Sequence, residues 1–353
     1  MKWICSHLHF GDHMDIWIDF TNSPHVHYFS QLINKFERED IDYFITFRKF
    51  KNLEHIVKLY DYVIDPILVG NHGRTLEEKL INSAKRIIEL TKIVLKNKPK
   101  VAITKHSVEL PRVAFGLNIP SIFVVDNEHA NAQNRLTLPI VNNIISPIGT
   151  DRDLLKSQGG NDFLTFEGTC EVANVNSRLN NILPLDNNII NTLGLNKDLP
   201  LIVMRSCPNS SYCNGKRDIL PEIIKNLNKS IDCNIVVFPR SEKQREIYSS
   251  LGAIIPGIID TISLLYYADA MVGAGGTMNR EAAVIGVPTV SCYPERMLGV
   301  DRYLINKNRM IHSTSINDVV TYIIDNLGKR NNGIKLEDPT NLMFEKVCEY
   351  LKR

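Results

Sequence analysis

The sequence predicts two α/β domains in tandem, each built on a doubly wound parallel sheet. The chain has 353 residues, more than one hydrophobic core usually organises. Short apolar runs alternate with segments of helical periodicity and are joined by short turns, which is the pattern of βαβ units. This alternation stops in the asparagine-rich residues 163–185 and resumes at residue 200. We therefore expect residues 14–175 and 176–335 to form two separate domains.

The first domain begins with the apolar strand "DIWIDF", followed by the turn "TNSPHVHYF" and helical spacing through Phe36. A long amphipathic helix is expected at residues 76–98, and a helix with its closing turn at residues 108–120. The other expected strands lie at residues 42–48, within 60–70, and at 100–107, 121–127 and 141–147.

The second domain repeats the alternation. Its strands are expected at residues 200–206, 233–240, 253–257, 270–276 and 287–294, and its helices near 219–228, 242–251, 261–268 and 277–286. A last helix, within residues 336–353, is a candidate to pack back on the first domain. Because ligands of doubly wound sheets bind at the carboxyl ends of the strands, we expect a functional cleft between the two domains.

Charge and composition exclude several classes of protein. Lys and Arg number 41 against 39 Asp and Glu, so no nucleic-acid partner is expected. No apolar run reaches the length of a membrane span. The seven cysteines lack the two-residue spacing of metal sites, so we expect neither a metal centre nor a disulfide framework, and a reducing cytoplasm. Cys207 and Cys213 are then expected to be structural thiols.

The beginning of the chain is expected to be dispensable for the fold. "MDIWIDF" from Met14 reads as a natural protein start. Residues 1–13 are therefore expected to be an extension without a structural role. The sequence leaves the oligomeric state open.

A glycine pair between a strand and a helix indicates an anion site in "VGAGGTMNREAAVIG". Gly275 and Gly276 let backbone approach a ligand, and the helix that follows directs free N–H groups and its positive dipole end to the same place. Glu281, one turn into that helix, suits hydrogen bonds to ribose hydroxyls. Arg205 and Arg240 end neighbouring strands and have the planar donor fork that clamps a phosphate. The alternative for the glycines is a packing turn.

Two further polar stretches follow strands of the first domain. "DNEHANAQNRLTLP" crowds Asp126, Glu128 and Arg135 into one loop and helix start, where a carboxylate of raised pKa serves as general acid or base. In "TNSPHVHYF", His25 is a candidate to accept the proton of an attacking hydroxyl or to steady a phosphate. The alternatives are a helix cap with surface ion pairs for the first stretch, and a capping or packing histidine for the second.

Residues 76–100 carry seven basic and three acidic residues on an amphipathic helix. Basic amphipathic helices lie on anionic lipid, so a peripheral membrane contact is a candidate role. The alternative is the solvated face of a helix that covers a sheet.

Residues 258–294, "IIDTISLLYYADAMVGAGGTMNREAAVIGVPTVSCYP", resemble the carboxy-terminal half of GT-B glycosyltransferases. The closest likeness is to transferases that add N-acetylglucosamine to lipid-linked acceptors and to non-hydrolysing UDP-N-acetylglucosamine 2-epimerases. From Met14 onward the chain also resembles the family called domain of unknown function 354. Its members carry "WIDFTNSPHVHYF", "DNEHANAQNRLTLP" and "GGTMNREAA" in this order. The resemblance implies a GT-B-like fold of two Rossmann-like domains.

The resemblance assigns roles to individual residues. Glu281 would bind the ribose, and the backbone of Ile259 the uracil. Asp301 and Arg302 match a loop that holds sugar hydroxyls in transferases, with an exposed ion pair as the alternative. Glu128 and Arg135 match the "His-x-Glu-Ala … Asn-Arg" region of the epimerases. The diphosphate would meet the start of the glycine-preceded helix, at Gly275, Gly276, Thr277 and Asn279.

The resemblance implies a glycosyltransferase that moves a sugar, an N-acetylhexosamine, from a UDP-sugar to a polysaccharide or lipid-linked acceptor. No cofactor would be obligatory, and the enzyme would work in the cytoplasm, with the inner face of the membrane as a candidate location. The alternatives are a 2-epimerase and a nucleotide-sugar-binding protein without turnover. The epimerases' "Gly-x-Arg-Pro-Glu" run and the histidine of their "His-Arg" run are absent here, which favours transfer.

Overall fold

The computed structural model describes residues 14–207, 218–331, 333 and 335–352. Within them the chain forms two compact units. The first unit takes in the chain up to Ser146, Asp151–Phe166 and the segment from Thr340 onward. The second unit takes in Pro147–Thr150 and Glu167–Pro339.

The first unit is built on a seven-stranded sheet of order β3-β2-β1-β4-β5-β6-β7. Its strands are β1 (Ile16–Phe20), β2 (Tyr43–Lys49), β3 (Ile67–Asn71), β4 (Val101–Lys105), β5 (Ser121–Val124), β6 (Asn143–Pro147) and β7 (Phe163–Phe166). Its helices before β7 are α1 (Ser23–Arg38), α2 (Leu53–Val57), α3 (Leu76–Lys96), α4 (Glu109–Gly116), α5 (Asn131–Thr137), a 3-10 turn (Leu138–Ile140) and α6 (Arg152–Ser157).

The central strands of this sheet are buried on both faces. Every residue of β1, β4 and β5 is buried, as expected for continuous apolar runs covered by helices on both sides. Trp17 and Phe44 stack across the β1–β2 pair with ring centroids 6.2 Å apart. The pairs β1–β2, β2–β3, β1–β4, β4–β5 and β5–β6 are parallel, so the carboxyl ends of these strands share one edge. The strand order reverses direction at β1 and β4, the position where such sheets bind ligands.

The second unit is built on a five-stranded parallel sheet of order β12-β11-β10-β8-β9. Its strands are β8 (Leu201–Arg205), β9 (Asn234–Phe238), β10 (Ala270–Gly273), β11 (Thr289–Ser291) and β12 (Ile311–His312). Its helices are α7 (Glu171–Leu179), α8 (Ile189–Thr192), α9 (Leu220–Ser230), α10 (Glu242–Ser250), α11 (Thr261–Tyr267), α12 (Thr277–Ile285), α13 (Gly299–Asn306) and α14 (Ile316–Asn326).

The turn after α12 explains the "Gly-Val-Pro" run of the sequence. Gly286 has φ +91°, a left-handed conformation that glycine adopts without a steric penalty. The amides of Gly286 and Val287 then donate to the carbonyls of Ala283 and Ala282, which closes the helix. The chain is thereby returned into β11.

The expected strand at residues 253–257 is reduced to a single bridge between Val236 and Ile254. Pro256 and Gly257 follow directly, and proline cannot donate to a ladder. That expectation is therefore wrong in extent.

The first unit ends in a helix, α15 (Thr340–Leu351). The ring of Phe344 stacks on Phe36 of α1 with centroids 5.8 Å apart, and Lys35 Nζ donates to Asn341 Oδ1 at 2.7 Å. Tyr350 Oη donates to Asn143 Oδ1 at 2.6 Å. The chain thus contributes its last helix to the same unit as its first strand.

The chain enters the second unit at Glu167, whereas the sequence led us to expect the boundary at residue 175. β7 completes the first sheet, and α7 then packs against α12. The difference arises because α7 looked polar in sequence but buries most of its length.

Candidate functional site

In the second unit, two arginines lie over the glycine pair that follows β10. A Cβ placed on Gly275 would be 3.1 Å from Arg240 Nη2 and 3.7 Å from Arg205 Cγ. Arg205 is the last residue of β8, and Arg240 follows β9. Gly275 and Gly276 precede α12, whose first-turn residue Thr277 is partly exposed. The structure therefore brings five predicted ligand residues to one end of the sheet.

Backbone carbonyls hold the two arginines in place. Arg205 Nη1 donates to Phe238 O at 3.3 Å, and Arg240 Nε donates to Ser206 O at 3.1 Å. In the part of the chain that the structure describes, neither guanidinium has a carboxylate partner. Burial and the charge of Arg240 lower the pKa of Arg205 to about 10, and burial lowers the pKa of Arg240. Two like charges held close together attract an anion.

A buried ion-pair network supports the helix behind this site. Arg280 Nε contacts Glu171 Oε1 at 2.8 Å, and Arg280 Nη1 contacts Asp301 Oδ1 at 3.0 Å. A Cβ on Gly276 would lie 2.6 Å from Arg280 Nη1, so the guanidinium lies against the glycine backbone. Sequence reasoning missed Arg280, although it stands in the quoted "MNREAA" run.

The residues predicted to hold the sugar have different surroundings. Asp301 is buried, and its carboxylate forms a buried ion pair with Arg280. Arg302 is exposed, and its Nη1 donates to Met297 O at 2.8 Å. The expected alternative of an exposed pair between the two is therefore wrong.

Asn279 and Glu281 are both buried in contacts within the second unit. Asn279 Nδ2 donates to Gly273 O at 2.8 Å, which ties the first turn of α12 to the end of β10. Glu281 Oε1 accepts from Asn174 Nδ2 of α7 at 3.0 Å. Their roles toward a nucleotide remain predictions.

Ile259 lies just before α11 and is half buried against the core of the second unit. The next residue, Asp260, caps α11 by accepting from the Ser263 amide at 3.3 Å, and it also pairs with Arg178. The backbone of Ile259, which is expected to face the base, is thus held by the packing of its own side chain and by the contacts of Asp260.

In the first unit, Asp126 follows β5 and binds two basic side chains from the end of β4. Lys105 Nζ lies 2.7 Å from Asp126 Oδ2, and His106 Nε2 lies 2.8 Å from Asp126 Oδ1. All three side chains are buried or nearly so. Sequence reasoning selected Asp126 but missed Lys105 and His106. The available signal was the "TKHS" that ends the strand "KVAITKHS".

The contact with Asp126 determines which nitrogen of His106 is basic. An ionised carboxylate only accepts hydrogen bonds, so Nε2 carries the proton and Nδ1 carries the lone pair. Nδ1 is buried and has no hydrogen-bond partner in the described residues. His106 also has φ +54°, an uncommon backbone conformation for a side-chain-bearing residue. A carboxylate that orients an imidazole is the arrangement of a general base.

His25 lies in the first turn of α1, and there the protein contacts Nδ1 instead of Nε2. The amide of Thr21 donates to His25 Nδ1 at 3.3 Å. Since an amide can only donate, Nδ1 is the acceptor and Nε2 carries the proton. Burial, together with the charges of Lys105, His106 and Arg48, holds the pKa of His25 well below 6.5. This geometry favours the phosphate-steadying role over the general-base role.

The two other candidate residues of "DNEHANAQNRLTLP", Glu128 and Arg135, differ in how far they are buried. Glu128 is completely buried, and its carbonyl accepts from Gln158 Nε2 at 2.9 Å. Arg135 is exposed on α5, where its Nε donates to Asn131 Oδ1 at 2.8 Å.

A buried charge network lies under the ends of β1 and β4. Arg86 Nη2 contacts Asp19 Oδ1 at 2.5 Å, and Arg86 Nη1 contacts Glu109 Oε2 at 3.3 Å. Ser107 Oγ donates to Asp19 Oδ2 at 2.7 Å, and Thr46 Oγ1 donates to Asp19 Oδ1 at 2.7 Å. Removing one partner would leave a buried charge, so this network fixes the loop that carries His106. Sequence reasoning missed it.

Three general expectations concern the whole chain. Cys207 is disulfide-bonded, so the expectation of a free thiol there is wrong; Cys213 lies outside the described residues, as do residues 1–13. No group of three or more metal-ligating side chains occurs in the described residues. None of their helices is long and apolar enough to cross a membrane.

The chain belongs to the family described as "Protein of unknown function (DUF354)", whose model matches residues 14–352. An uncharacterized protein of Methanocaldococcus jannaschii is 62% identical over 340 residues, which cover 96% of this chain and 99% of that protein.

Solved structures share the fold at low identity. UDP-GlcNAc 2-epimerase from Neisseria meningitidis, bound to UDP-GlcNAc, has a TM-score of 0.74 at 13% identity, covering 95% of this chain and 100% of that one. UDP-GlcNAc 2-epimerase from Methanocaldococcus jannaschii has a TM-score of 0.70 at 15% identity, covering 96% and 99%. The glycotransferase of kitacinnamycin has a TM-score of 0.57 at 13% identity, covering 96% and 95%. The chain therefore has the GT-B-like fold of two parallel-sheet α/β domains.

Proposed function

We propose that the protein is a glycosyltransferase that moves an N-acetylhexosamine from a UDP-sugar to a polysaccharide or lipid-linked acceptor. The observation that carries the donor half is the Arg205–Arg240 pair over Gly275 and the start of α12, a pair that has no carboxylate partner among the described residues. Two structurally similar epimerases, which are bound to UDP-GlcNAc, support a UDP-sugar as the ligand.

The second unit would bind the donor diphosphate. A diphosphate gains negative charge as it leaves the sugar, and preorganised cations and helix N–H groups stabilise that charge more than they stabilise the bound donor. Arg205 and Arg240 would supply the cations, and residues 275–277 the N–H groups. Glu281 would bind the ribose, and Ile259 the base. Asp301 would contact the sugar through the network it shares with Arg280.

The first unit would activate the acceptor. His106 Nδ1, which is buried in the structure, would be reached by the acceptor hydroxyl as the acceptor binds and would take its proton, while Asp126 holds the imidazole in the basic tautomer. The hydroxyl oxygen would form a bond to the anomeric carbon as the bond from that carbon to the diphosphate oxygen breaks. UDP then leaves with the electron pair, and the proton remains on His106.

The outer face of α3 supports a lipid-linked acceptor. Leu80, Ile88 and Leu95 are 73%, 57% and 62% exposed and recur on one face of the helix. The opposite face buries Arg86, Leu90 and Val94. From residue 79 to 98 the exposed charges are one glutamate and five lysines, Glu89 and Lys79, Lys85, Lys92, Lys96 and Lys98. An apolar stripe bordered by lysines complements an anionic lipid surface, and the protein would work in the cytoplasm at such a surface.

A 2-epimerase-like reaction is the second candidate. The similar solved structures include several UDP-GlcNAc 2-epimerases, and Asp126 and Glu128 are both buried acid–base groups. In that reaction a base removes the proton at C2, UDP is eliminated and added back, and no acceptor is needed.

Incubation with UDP-N-acetylglucosamine in D₂O distinguishes the two reactions. We expect no deuterium at C2 without acceptor, and release of UDP only when a hydroxyl acceptor is added. His106→Gln removes the proposed base, and His55→Gln, at an exposed position of α2, is the matched control. Deuterium at C2 together with the 2-epimer would replace transfer by epimerisation. Failure of UDP itself to bind would overturn both reactions.

A further inference from the structure

Basic side chains stand at the carboxyl ends of four neighbouring strands in the first unit. His72 follows β3, Arg48 lies near the end of β2, His25 follows β1, and Lys105 ends β4. These strands are adjacent in the sheet order β3-β2-β1-β4. Because parallel strands end at the same edge, the four side chains belong to one edge of one sheet.

Among the charged groups of this edge that the structure describes, Arg48 is the one without a carboxylate partner. Arg48 Nε donates to Thr21 O at 3.0 Å, and the described residues offer its guanidinium no carboxylate at salt-bridge distance. Lys105 shares the single carboxylate of Asp126 with His106. The acidic groups below, Asp19 and Glu109, are engaged by Arg86.

The start of α1 adds its dipole and one side-chain donor to the same edge. α1 has 16 residues and no acidic residue in its first turn, so its positive dipole end favours an anion. His25 is in that turn, and its Nε2–H is left as a neutral donor because Nδ1 accepts from Thr21. Burial keeps the ring neutral, and the charges of Lys105 and Arg48, which act in the same direction, would attract an anion.

We propose that this edge binds a phosphate group of the second substrate, with His25 Nε2–H, Arg48 and Lys105 as its ligands. The inference rests on the proposed function, because it names the chemistry of the acceptor in that reaction. The acceptor would be a phosphorylated compound, either a lipid phosphate or a sugar phosphate. His25 would be a binding residue, and His106 would keep the role of base.

Calorimetric titration of the full chain saturated with UDP tests the proposal, because UDP occupies the second unit. Inorganic pyrophosphate and farnesyl diphosphate are the two probes. We expect both to bind, and Arg48→Gln to weaken them roughly tenfold to hundredfold, as for loss of a charge-assisted hydrogen bond. His25→Phe should weaken them about tenfold, whereas His25→Gln, which retains an N–H donor, should recover most of the affinity.

The two probes identify the source of the phosphate. Tighter binding of farnesyl diphosphate indicates a lipid acceptor, and equal binding indicates a water-soluble one. The proposal is overturned if neither probe binds, or if Arg48→Gln and His25→Phe leave binding unchanged while thermal unfolding shows that both fold. Absence of UDP binding would instead refute the proposed function. The phosphate titration would then be repeated on Arg240→Gln, where the second-unit anion site is weakened.

Discussion

A single backbone amide determines what His25 can do. The Thr21 N–H points at Nδ1, and a protonated imidazole would bring a second N–H against it. His106 is oriented by a carboxylate, which favours the proton on the nitrogen it contacts and leaves the other nitrogen basic. Both rings carry the proton on Nε2, but the nitrogen that the protein leaves available is a donor in His25 and an acceptor in His106. Residue type alone does not reveal this difference.

The burial of His25 predicts how stability depends on pH. The pKa of His25 is below 6.5 in the folded protein because of burial first and nearby positive charges second. At acid pH the unfolded chain therefore binds a proton that the folded chain does not. Stability is retained above the unfolded pKa and falls as pH drops below it, by at most about 1.4 kcal/mol per pH unit from this residue.

Urea unfolding between pH 5 and 7 measures this slope. We expect His25→Gln to make stability less dependent on pH over that window, because the group that gains a proton on unfolding is removed. The matched control is His55→Gln, at an exposed position of α2. Equal slopes in wild type and His25→Gln would contradict the assignment of a neutral His25.

At the scale of elements, α3 has two faces with different tasks. Its inner face delivers Arg86 to Asp19 and Glu109 and packs Leu90 and Val94 on the sheet. Its outer face exposes large apolar side chains that a helix needing only solubility would not carry. The sequence offered two interpretations for this helix, a membrane contact and a solvated face. The exposed stripe favours the first.

Vesicle sedimentation tests this interpretation. We expect the protein to bind vesicles that contain phosphatidylglycerol more tightly than pure phosphatidylcholine, and less tightly as salt increases. Leu80→Ser with Ile88→Ser should abolish binding, because the apolar contact is lost. Each of Lys85→Gln and Lys92→Gln should weaken binding about fivefold, the equivalent of ~1 kcal/mol per lysine near an anionic surface.

Leu136→Ser is the matched control for vesicle binding, since Leu136 is an equally exposed leucine on α5. The membrane interpretation fails if the α3 variants bind vesicles as wild type does. It also fails if they change the sedimentation coefficient of the free protein instead, since the stripe would then be covered by a second copy.

At the scale of the whole molecule, strands buried on both faces were predictable from sequence. β1, β4 and β5 appear as continuous apolar runs, and their order follows from the βαβ alternation. β7 was missed because it has four residues and is only partly buried. α14 was missed although its apolar residues recur at helical spacing. α13 was taken for a loop, and it begins without a capping side chain.

The candidate site residues likewise divide into those that the sequence could reveal and those that it could not. Arg205, Arg240 and Gly275 could be selected because each lies at or just beyond the end of a strand, and strand ends meet at one edge. The contacts of Asp19 could not, because Arg86 is 67 residues away and Ser107 is 88 residues away. Lys105 and His106 were missed for a related reason: their partner Asp126 follows a different strand.

The proposed division of labour predicts that binding and turnover fail separately. Arg240→Gln should abolish the thermal stabilisation by UDP, because a ligand stabilises only by binding the folded state, by about 2.7 kcal/mol at 100 times its Kd. His106→Gln should keep that stabilisation and lose turnover by roughly 10²–10⁴-fold, the usual contribution of a general base. Differential scanning fluorimetry with UDP and a UDP-release assay measure the two quantities on the same preparations. If His106→Gln lost UDP binding, or Arg240→Gln kept it, the donor and the base could not be assigned to different units, and the mechanism proposed here would have to be abandoned.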